Sequence, residues 1–352
     1  MPRLIAGTVR HYDWGDENVL PDLLGVPPDG RPWAEVWFGT HPQAPSHLDS
    51  ADGPLLSDTA GEMSVLVKIL ACARPLSLQT HPDTARARDG FAREEATSVP
   101  RDAATRMYRD PFDKPEQVVA LTRFEALCGF LPDGAAHERL GRWGWSAEAE
   151  RLASLGTRGY LEWAFGLDES PTLERCDPWM TRLAARYPRD PGLRAAALLH
   201  HVVLEPGESL VLGAGNLHAY LGGTALEAMR SSDNVVRAGF TTKHVDVAEL
   251  LAIVDTTPIA DPVVQGVREG ALVRWPSPSP VFTVSALDWR HGDVLPASDR
   301  WRICFGEHGV VTGAREPSAI LVAPGETCTL GSALGNGVPA GGRLWIVEEN
   351  RT

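Results

Sequence analysis

The feature that most constrains the fold is a series of short apolar runs separated by turns rich in glycine and proline. Residues 64–72 are apolar on both faces of an extended chain, as expected of a buried strand, and residues 116–121 form a second candidate strand. The same texture fills residues 276–347. Antiparallel jelly rolls are built from turn-rich chains of many short strands. The sequence therefore predicts a mainly β fold of jelly-roll type.

A middle segment differs from both ends. Ser170, Asp177 and Asp190 each precede a proline, which is the arrangement of an N-cap residue before the first residue of a helix. We therefore predict that residues 132–201 form a helical insertion, whose last helix continues to His201.

Composition and charge exclude several classes of protein. The 352 residues carry a formal net charge of −13, which does not suit binding to the phosphate backbone of nucleic acids. There is no run of 18 apolar residues, so no membrane span is expected, and the start of the chain lacks the apolar core of a signal peptide. The five cysteines are widely spaced without a C-x-x-C pair, which favours reduced thiols and a cytoplasmic location.

The basic residues are divided unevenly between lysine and arginine. Of the 33 basic residues, only Lys68, Lys114 and Lys243 are lysines. Arginine is always charged, whereas a buried lysine changes its pKa and can move protons. Each lysine is therefore a candidate functional residue, although chance retention at the surface is an equal alternative for any one of them.

Polar side chains alternate along two candidate strands. In an extended chain Ser77, Gln79 and His81 point to one face, because successive side chains of a strand point to opposite faces. The same spacing places Lys114 and Glu116 on one side of a second strand. Each strand would thus direct several polar groups towards one interior.

A metal site can be assembled from these strands and the glycine-rich segment that contains His218. His81, Glu116 and His218 offer two imidazoles and a carboxylate, which suit a divalent transition metal, with the amide oxygen of Gln79 as an atypical fourth ligand. An open position would remain for water or substrate. The spacing is not that of a zinc finger, however, and each histidine taken alone is more commonly a hydrogen-bonded structural residue.

Charged and amide side chains are also concentrated between residues 227 and 243. They are Glu227, Arg230, Asp233, Asn234, Arg237 and Lys243. A solvated loop with ordinary charges would also explain this density.

Six short motifs, which lie between residues 12 and 243, are specific in combination. They are Tyr12-Asp-Trp-Gly15, Ala34-Glu-Val-Trp-Phe-Gly-Thr-His-Pro42, Leu78-Gln-Thr-His-Pro-Asp83, Lys114-Pro-Glu116, Gly215-Asn-Leu-His-Ala-Tyr220 and Ser232-Asp-Asn-Val-Val-Arg-Ala-Gly-Phe-Thr-Thr-Lys243. Together they resemble the type I phosphomannose isomerase family.

The resemblance implies a cupin-type jelly-roll barrel that holds one Zn²⁺ ion per chain. The positions matching the metal ligands are Gln79, His81, Glu116 and His218. The positions implied to bind substrate are Lys68, Ser77, Lys243 and Trp14. The catalytic candidates are Arg237, Lys114, Asp233 and Glu227. All three lysines thus fall at or near pocket positions.

The resemblance also suggests how the chain divides. Residues 1–131 would be the N-terminal part of the metal-binding cupin domain, 132–201 the helical insertion, 202–258 the remainder of the catalytic cupin domain and 259–352 a C-terminal cupin-like β domain. We expect a monomer that acts on a small-molecule sugar phosphate and binds neither nucleic acid nor membrane.

Two positions depart from the family pattern. The family usually has a histidine directly before the Lys-Pro-Glu triplet, where this chain has Asp113, and Thr242 stands where the family usually has proline. The usual histidine is a candidate for sugar-ring opening or proton transfer. Asp113 therefore implies slower turnover or a changed substrate, whereas the change at Thr242 should be milder.

The implied reaction is the interconversion of mannose 6-phosphate and fructose 6-phosphate through an enediolate. Such an isomerisation needs an acid/base group, an electrophile for the developing charge and an anchor for the phosphate. Two alternatives remain open. One is a cupin Fe(II) oxygenase, because two histidines and a carboxylate also form a facial triad. The other is a sugar-phosphate sensor without catalysis, because of Asp113.

Overall fold

Strands dominate the architecture, as predicted. The computed structural model describes residues 2–167, 169, 171–306, 316–330 and 341–350. Ser170 lies outside the described residues, but residues 171–177 are not helical and the next helix begins only at Pro178, so the helix start predicted at Ser170-Pro171 is wrong. The strands are β1 (Arg3–Ala6), β2 (Thr8–Arg10), β3 (Glu35–Phe38), β4 (His47–Leu48), β5 (Val65–Cys72), β6 (Leu78–Thr80), β7 (Glu116–Ala120), β8 (Phe124–Phe130), β9 (Leu199–Leu204), β10 (Glu208–Leu212), β11 (His218–Arg230), β12 (Val236–Gly239), β13 (Val263–Gln265), β14 (Val267–Glu269), β15 (Leu272–Trp275), β16 (Phe282–Arg290), β17 (Val294–Leu295), β18 (Arg302–Gly306), β19 (Ser318–Val322), β20 (Cys328–Thr329) and β21 (Gly341–Glu349).

Helices are fewer and mostly short. They are α1 (Val19–Leu24), α2 (Ser57–Ala60), α3 (Thr84–Ala96), α4 (Asp133–Arg142), α5 (Ser146–Phe165), α6 (Pro178–Arg186), α7 (Gly192–Ala196) and α8 (Val247–Ile253). Within the described part of the chain, no helix combines the length and apolar character that crossing a bilayer would require.

The first large sheet has eleven antiparallel strands and is bent through β11. The later part of β11 pairs with β5 and β7, whereas its first residues pair with β6 and β8. The register shifts after Tyr220, and Gly223 then adopts φ of 106°, where a Cβ would lie 2.4 Å from the carbonyl oxygen of Arg123. A side chain at Gly223 would thus clash with backbone. The bend lets both halves of the sheet enclose one interior, which is partly filled by apolar residues such as Val118, Ala126 and Leu210.

The second large sheet has eight strands in the order β14-β15-β16-β21-β18-β19-β1-β4. One of its faces packs against the outer face of the first sheet, where Val67 and Ile69 of β5 share a core with Phe282 of β16 and Trp345 of β21. A smaller core on its other face includes residues of the two-stranded sheet formed by β17 and β20.

Four helices, α4 to α7, lie between β8 and β9 in sequence. Helix α6 begins at Pro178 after Asp177, as predicted. Helix α7 ends at Ala196, however, and His201 lies in β9, opposite Leu127 of β8. The prediction of a helix through His201 is therefore wrong, because pairing with β8 outweighs the helical preference of the preceding alanines.

Strand pairing crosses the predicted domain boundaries at both ends. Strands β1 and β4 belong to the eight-stranded sheet, in which β1 pairs with β19. Strand β13 pairs with β10 of the eleven-stranded sheet. We propose to keep the four-part division 1–131, 132–201, 202–258 and 259–352, with these short strands assigned to the sheets that they complete.

Candidate active site

A cavity of about 600 Å³ occupies the barrel of the eleven-stranded sheet. All the predicted site residues except the two histidines line it, namely Trp14, Lys68, Ser77, Gln79, Lys114, Glu116, Glu227, Asp233, Arg237 and Lys243. His81 and His218 are buried beside Glu116. Residues far apart in the sequence thus meet in one site.

Strand register explains why charged side chains meet there. Lys68 of β5 is the direct neighbour of Glu227 of β11, and Glu116 of β7 pairs with Met229, two residues after Glu227. Because alternate residues of a strand share a face, these side chains all point into the barrel. The intervening Val67 points outward into the apolar core between the two sheets.

His81, Glu116 and His218 form a compact buried cluster. One ligand atom from each residue lies within 4.8 Å of the other two. Nδ1 of His81 donates to the carbonyl oxygen of Asn234 at 2.8 Å, and Nδ1 of His218 donates to that of Asn216 at 3.1 Å. Both Nε2 atoms therefore present a lone pair, as in metal-binding histidines whose other nitrogen is held by a carbonyl.

The electrostatics of this cluster call for a cation at its centre. Nε2 of His81 and Nε2 of His218 lie 3.4 and 3.5 Å from the Glu116 carboxylate, and neither nitrogen has a hydrogen-bond partner. Burial lowers the pKa of His81 to about 4, so its imidazole is neutral. Burial would raise the pKa of Glu116, but the charge of Lys114 holds it well below its usual range. Two lone pairs and a carboxylate facing one another fit a divalent cation.

Gln79 lies between the metal-binding cluster and the next group of charges. It is the cross-strand neighbour of His218 on one side and of Arg237 on the other. The hydroxyl of Ser77 donates to its Oε1 at 3.1 Å. Its role as a fourth ligand remains a prediction, and Ser77 is placed to orient the amide oxygen.

Lys68 is surrounded by carboxylates inside the barrel. Its Nζ lies 3.1 Å from Glu227 and 3.9 Å from Glu35, and the hydroxyl of Tyr220 donates to Glu227 at 2.8 Å. Burial lowers the pKa of Lys68, but the attraction of Glu227 and Glu35 outweighs burial and raises it overall. Burial raises the pKa of Glu227 above its usual value; the charge of Lys68 opposes this rise, whereas the charges of Glu116 and Glu35 add to it.

Three cations without carboxylate partners form a separate cluster in the cavity. Arg109, Arg237 and Lys243 all line it, and no ion pair to any of them occurs among the described residues. Burial lowers the pKa of Lys243, and the nearby charges of Arg237 and Arg109 lower it further. Mutual repulsion of this kind is relieved by an anion, which three charged donors can bind strongly.

Asp233 is held at the cavity wall by neutral and polar donors. The Nε2 atom of Gln43 donates to its Oδ2 at 2.7 Å, and Nε2 of His41 lies 3.4 Å away. Burial would raise the pKa of Asp233, but the hydrogen bond from His41 and the charge of Lys114 hold it below its usual range. Asp233 is therefore ionised and a weak base.

Asp113 is turned away from the cavity. Its Oδ1 lies 3.0 Å from Nε of Arg230, and neither residue lines the cavity. The carboxylate that replaces the family's usual histidine thus pairs with an arginine and does not reach the space in which a substrate would lie.

Sequence reasoning missed four residues of the site. Glu35 and Tyr220 lie within two of the motifs quoted above, but only the sheet register reveals that they contact the Lys68–Glu227 pair. Arg109 and His41 reach the site from loops, where no periodicity signals the direction of a side chain.

Known proteins with similar sequences are mannose-6-phosphate isomerases. Residues 3–133 match the family model of the phosphomannose isomerase type I catalytic domain. The chain is 35% identical to the mannose-6-phosphate isomerase of Escherichia coli (strain K12), over 93% of this chain and 94% of that protein. It is 28% identical to mannose-6-phosphate isomerase 1 of Arabidopsis thaliana, over 98% of this chain and 89% of that protein.

A solved structure extends this similarity to the fold. A crystal structure of mannose 6-phosphate isomerase bound with zinc and yttrium matches with a TM-score of 0.78 and 28% identity, over 99% of this chain and 100% of that chain. The predicted cupin fold is therefore confirmed. The chain has this fold and the buried His–Glu–His cluster, and it is similar to mannose-6-phosphate isomerases over nearly its whole length. It therefore belongs to the type I phosphomannose isomerase family.

Proposed function

We propose that this protein is a zinc-dependent mannose-6-phosphate isomerase, which interconverts mannose 6-phosphate and fructose 6-phosphate through an enediolate. One observation carries the proposal: the buried His–Glu–His cluster and the cluster of three unpaired cations adjoin the same cavity. Isomerisation of a sugar phosphate needs an electrophile at the reacting carbons and an anchor that supplies binding energy at the phosphate.

His81, Glu116 and His218 would hold one Zn²⁺ ion per chain, with Gln79 as the fourth ligand. Among the described residues, this is the one group of histidine, cysteine and carboxylate side chains with suitable spacing. Bound zinc would orient and polarise the sugar oxygens. Lys114, whose Nζ lies 2.9 Å from Glu116, would stabilise negative charge that develops on the substrate next to this centre.

Arg109, Arg237 and Lys243 would bind the phosphate. Arg237, Gln79 and His218 are successive cross-strand neighbours. At about 4.8 Å per strand, the outer two Cα atoms lie roughly 10 Å apart, which leaves room for a hexose between phosphate and metal. Trp14, whose ring stacks on Tyr12 at 5.8 Å, would form an aromatic wall for the sugar. Lys68 is better suited to orienting Glu227, because its charge is already compensated by carboxylates.

Glu227 is the residue that we assign to proton transfer between C1 and C2. Its raised pKa makes it more basic than an ordinary glutamate, and a base whose pKa is nearer to neutrality both takes and returns a proton more effectively. Tyr220 and Lys68 hold its carboxylate in place through both oxygens. Ring opening falls to Lys114 and Asp233, since both line the cavity and Asp113 does not.

The test is a coupled assay of purified, metal-analysed protein that follows fructose 6-phosphate formed from mannose 6-phosphate. We expect activity that a chelator removes and added Zn²⁺ restores. Full turnover after removal of all bound metal would contradict the metal site. Substrate-dependent oxygen consumption would instead indicate the oxygenase alternative, and binding of mannose 6-phosphate without turnover by the zinc-loaded protein would indicate a sensor.

The remaining properties follow from the same proposal. We infer a monomer in the cytoplasm that binds neither nucleic acid nor membrane. The net charge of −13 supports the absence of nucleic-acid binding, and the five free cysteines support a cytoplasmic location. Light scattering on the eluted protein would contradict the inference if it gave twice the chain mass.

A further inference from the structure

Asp190 joins the helical insertion to the loop that carries Lys243. Its Oδ1 accepts the backbone N–H of Gly192 at 2.8 Å, at the start of α7. Its Oδ2 accepts the backbone N–H of Phe240 at 2.6 Å, directly after β12. One partly buried carboxylate thus holds two segments that are about fifty residues apart in sequence.

The two backbones meet with no spare space at this point. A Cβ at Gly239 would lie 2.5 Å from Oδ1 of Asp190 and 3.0 Å from the Cα of Gly192. A Cβ at Gly192 would lie 3.2 Å from the Cα of Gly239. A larger residue at Gly239 would therefore push the insertion away from the end of β12.

Two non-glycine residues at this junction have left-handed backbone conformations. Phe240 has φ of 55° and Arg189 has φ of 65°. Such conformations are strained for residues with side chains and persist where the surroundings hold them. The carboxylate of Asp190 supplies such a restraint at Phe240, and the ring of Tyr187 packs on that of Phe240 at 5.4 Å between ring centres.

Phe240 lies between two members of the cation cluster formed by Arg109, Arg237 and Lys243. Arg237 precedes it in β12, and Lys243 follows it in the loop. Its conformation therefore sets the direction in which the chain leaves β12 and the distance between the two cationic side chains. Tyr187 lines the same cavity and donates from its hydroxyl to the carbonyl oxygen of Pro75 at 3.2 Å, so the insertion forms part of the wall.

We propose that Asp190 is a positioning residue for the phosphate subsite. By holding Phe240, it keeps Arg237 and Lys243 at a separation at which both bind the same phosphate group, and it couples the helical insertion to substrate binding. This inference rests on the proposed function, because it takes the three-cation cluster as the phosphate anchor. Asp190 itself does not line the cavity and does not touch the substrate.

The main test compares zinc-loaded wild type with Asp190→Asn. An asparagine keeps the shape but loses the charge and faces one of the two backbone N–H groups with its own NH2 group. We expect about a 10-fold rise in KM for mannose 6-phosphate and in the inhibition constant of inorganic phosphate, with kcat little changed. This is the pattern expected when the lost hydrogen bond to a charged group supports binding of the ground state and the transition state equally. Zinc affinity, measured by competition with a chelator, should stay at the wild-type value.

Asp293→Asn is the matched control. Its carboxylate also accepts a backbone N–H, that of Arg290 at 2.7 Å, in a turn of the eight-stranded sheet. The control should leave KM, phosphate inhibition and zinc affinity unchanged. A loss of zinc affinity equal to the loss of phosphate affinity in Asp190→Asn would show general loosening and overturn the inference. Unchanged phosphate inhibition would also overturn it. Absence of turnover in the wild type would instead contradict the proposed function.

A measurement on the unmodified protein covers the case in which the variant does not fold. Amide hydrogen exchange of the zinc-loaded wild type is followed with and without inorganic phosphate. Because coupling between sites is reciprocal, phosphate should slow exchange of the amides of both Phe240 and Gly192. Slower exchange in the loop up to Lys243, with no change at Gly192, would refute the coupling.

Discussion

The two large sheets are both antiparallel and differ in what their inner faces carry. In the eleven-stranded sheet, Lys68, Glu116 and Glu227 are buried on the face that lines the cavity. On the face of the eight-stranded sheet that is turned away from the shared core, described residues such as Ile320 and Ile346 pack in an aliphatic cluster. Buried charges destabilise the folded state unless they are paired, whereas packed aliphatic side chains stabilise it. The second sheet can thus supply stability that the first gives up to hold reactive groups.

Both sheets bury charged side chains, so the presence of a buried charge does not by itself distinguish them. Arg302 in β18 is also buried, and its guanidinium donates to the carbonyl oxygens of Pro296 and Glu326 at 2.7 and 2.9 Å. Lys68 instead faces two carboxylates that border the cavity. A buried cation is structural where backbone carbonyls satisfy it, and it belongs to a reactive site where its partners are ionisable and reach a cavity.

The largest effect should follow from removing the charged metal ligand. Glu116→Gln keeps the shape of the side chain but removes the carboxylate between the two imidazoles, so zinc content and turnover should fall together. Metal catalysis contributes several kcal/mol to transition-state stabilisation, so turnover should fall about 1,000-fold. Metal analysis and the coupled assay measure both. Glu269→Gln, in an exposed pair of the eight-stranded sheet, is the control, and full turnover by metal-free Glu116→Gln would contradict the assignment.

The next effect concerns stability and distinguishes the two buried cations. Lys68→Met leaves Glu227 and Glu35 without their shared partner, so the free energy of unfolding near neutral pH should fall by about 3–5 kcal/mol. Arg302→Met leaves two carbonyl groups unpaired and should cost about 1–3 kcal/mol. Urea unfolding measures both values.

The pH dependence of these two losses should differ. Without Lys68, the pKa of Glu227 rises further above that of the unfolded chain, so the folded variant binds protons more readily than the unfolded one. The loss of unfolding free energy in Lys68→Met is therefore complete above the raised pKa of Glu227, and it shrinks as the pH falls towards the ordinary pKa of a glutamate. The loss in Arg302→Met should stay constant over this range. Equal pH dependence in the two variants would remove the distinction between the sheets.

The sequence predicts those parts of the site in which polar side chains alternate along a strand. Alternation around β6 and β7 placed Gln79, His81 and Glu116 towards one interior, and the structure brings His81 and Glu116 together with His218. The strands at 64–72 and 116–121 were also predicted, since each has enough apolar residues to indicate burial.

The missed features depend on which distant segments pair. Nothing local in residues 199–204 indicates that β8 will pair with them, so a helix was predicted through His201. Strand β1 pairs with β19, more than 300 residues away, and this partner determines its sheet. Arg109 reaches the cavity from a loop, in which its backbone N–H donates to the Oδ1 atom of Asn234 at 2.7 Å. No periodic pattern in the sequence predicts this contact.

A third prediction concerns the aliphatic face of the eight-stranded sheet. Ile346→Ala leaves a cavity in a packed cluster, so the free energy of unfolding should fall by about 2–4 kcal/mol. KM and kcat of the folded enzyme should match the wild type, because the cluster does not border the site. Ile346→Val, which removes one methyl group, should cost about 1 kcal/mol. A changed KM in either variant would show that the two sheets are coupled, contrary to the division of roles described above.

The smallest effect should come from a pair at the outer face of the barrel. Glu125 of β8 accepts two hydrogen bonds from Arg182 of α6, at 2.6 and 2.8 Å, and its Oε1 lies 2.7 Å from Nε2 of His201. The hydrogen bond from His201 holds the pKa of Glu125 below the ordinary glutamate value, against burial and with further help from Arg182. These contacts attach the helical insertion to the eleven-stranded sheet through a partly exposed pair.

Glu125→Gln should therefore lower the free energy of unfolding by only about 0.5–1 kcal/mol at neutral pH, because exposed partners are screened by water. A carboxyl group with a lowered pKa stabilises the fold fully above its unfolded pKa, and this contribution disappears as the pH falls through the lowered folded value. The difference between wild type and variant should accordingly vanish in acid. Urea unfolding at several pH values measures it, with Arg182→Gln as a matched variant. A loss that persists unchanged in acid would mean that packing, not charge, attaches the insertion to the barrel.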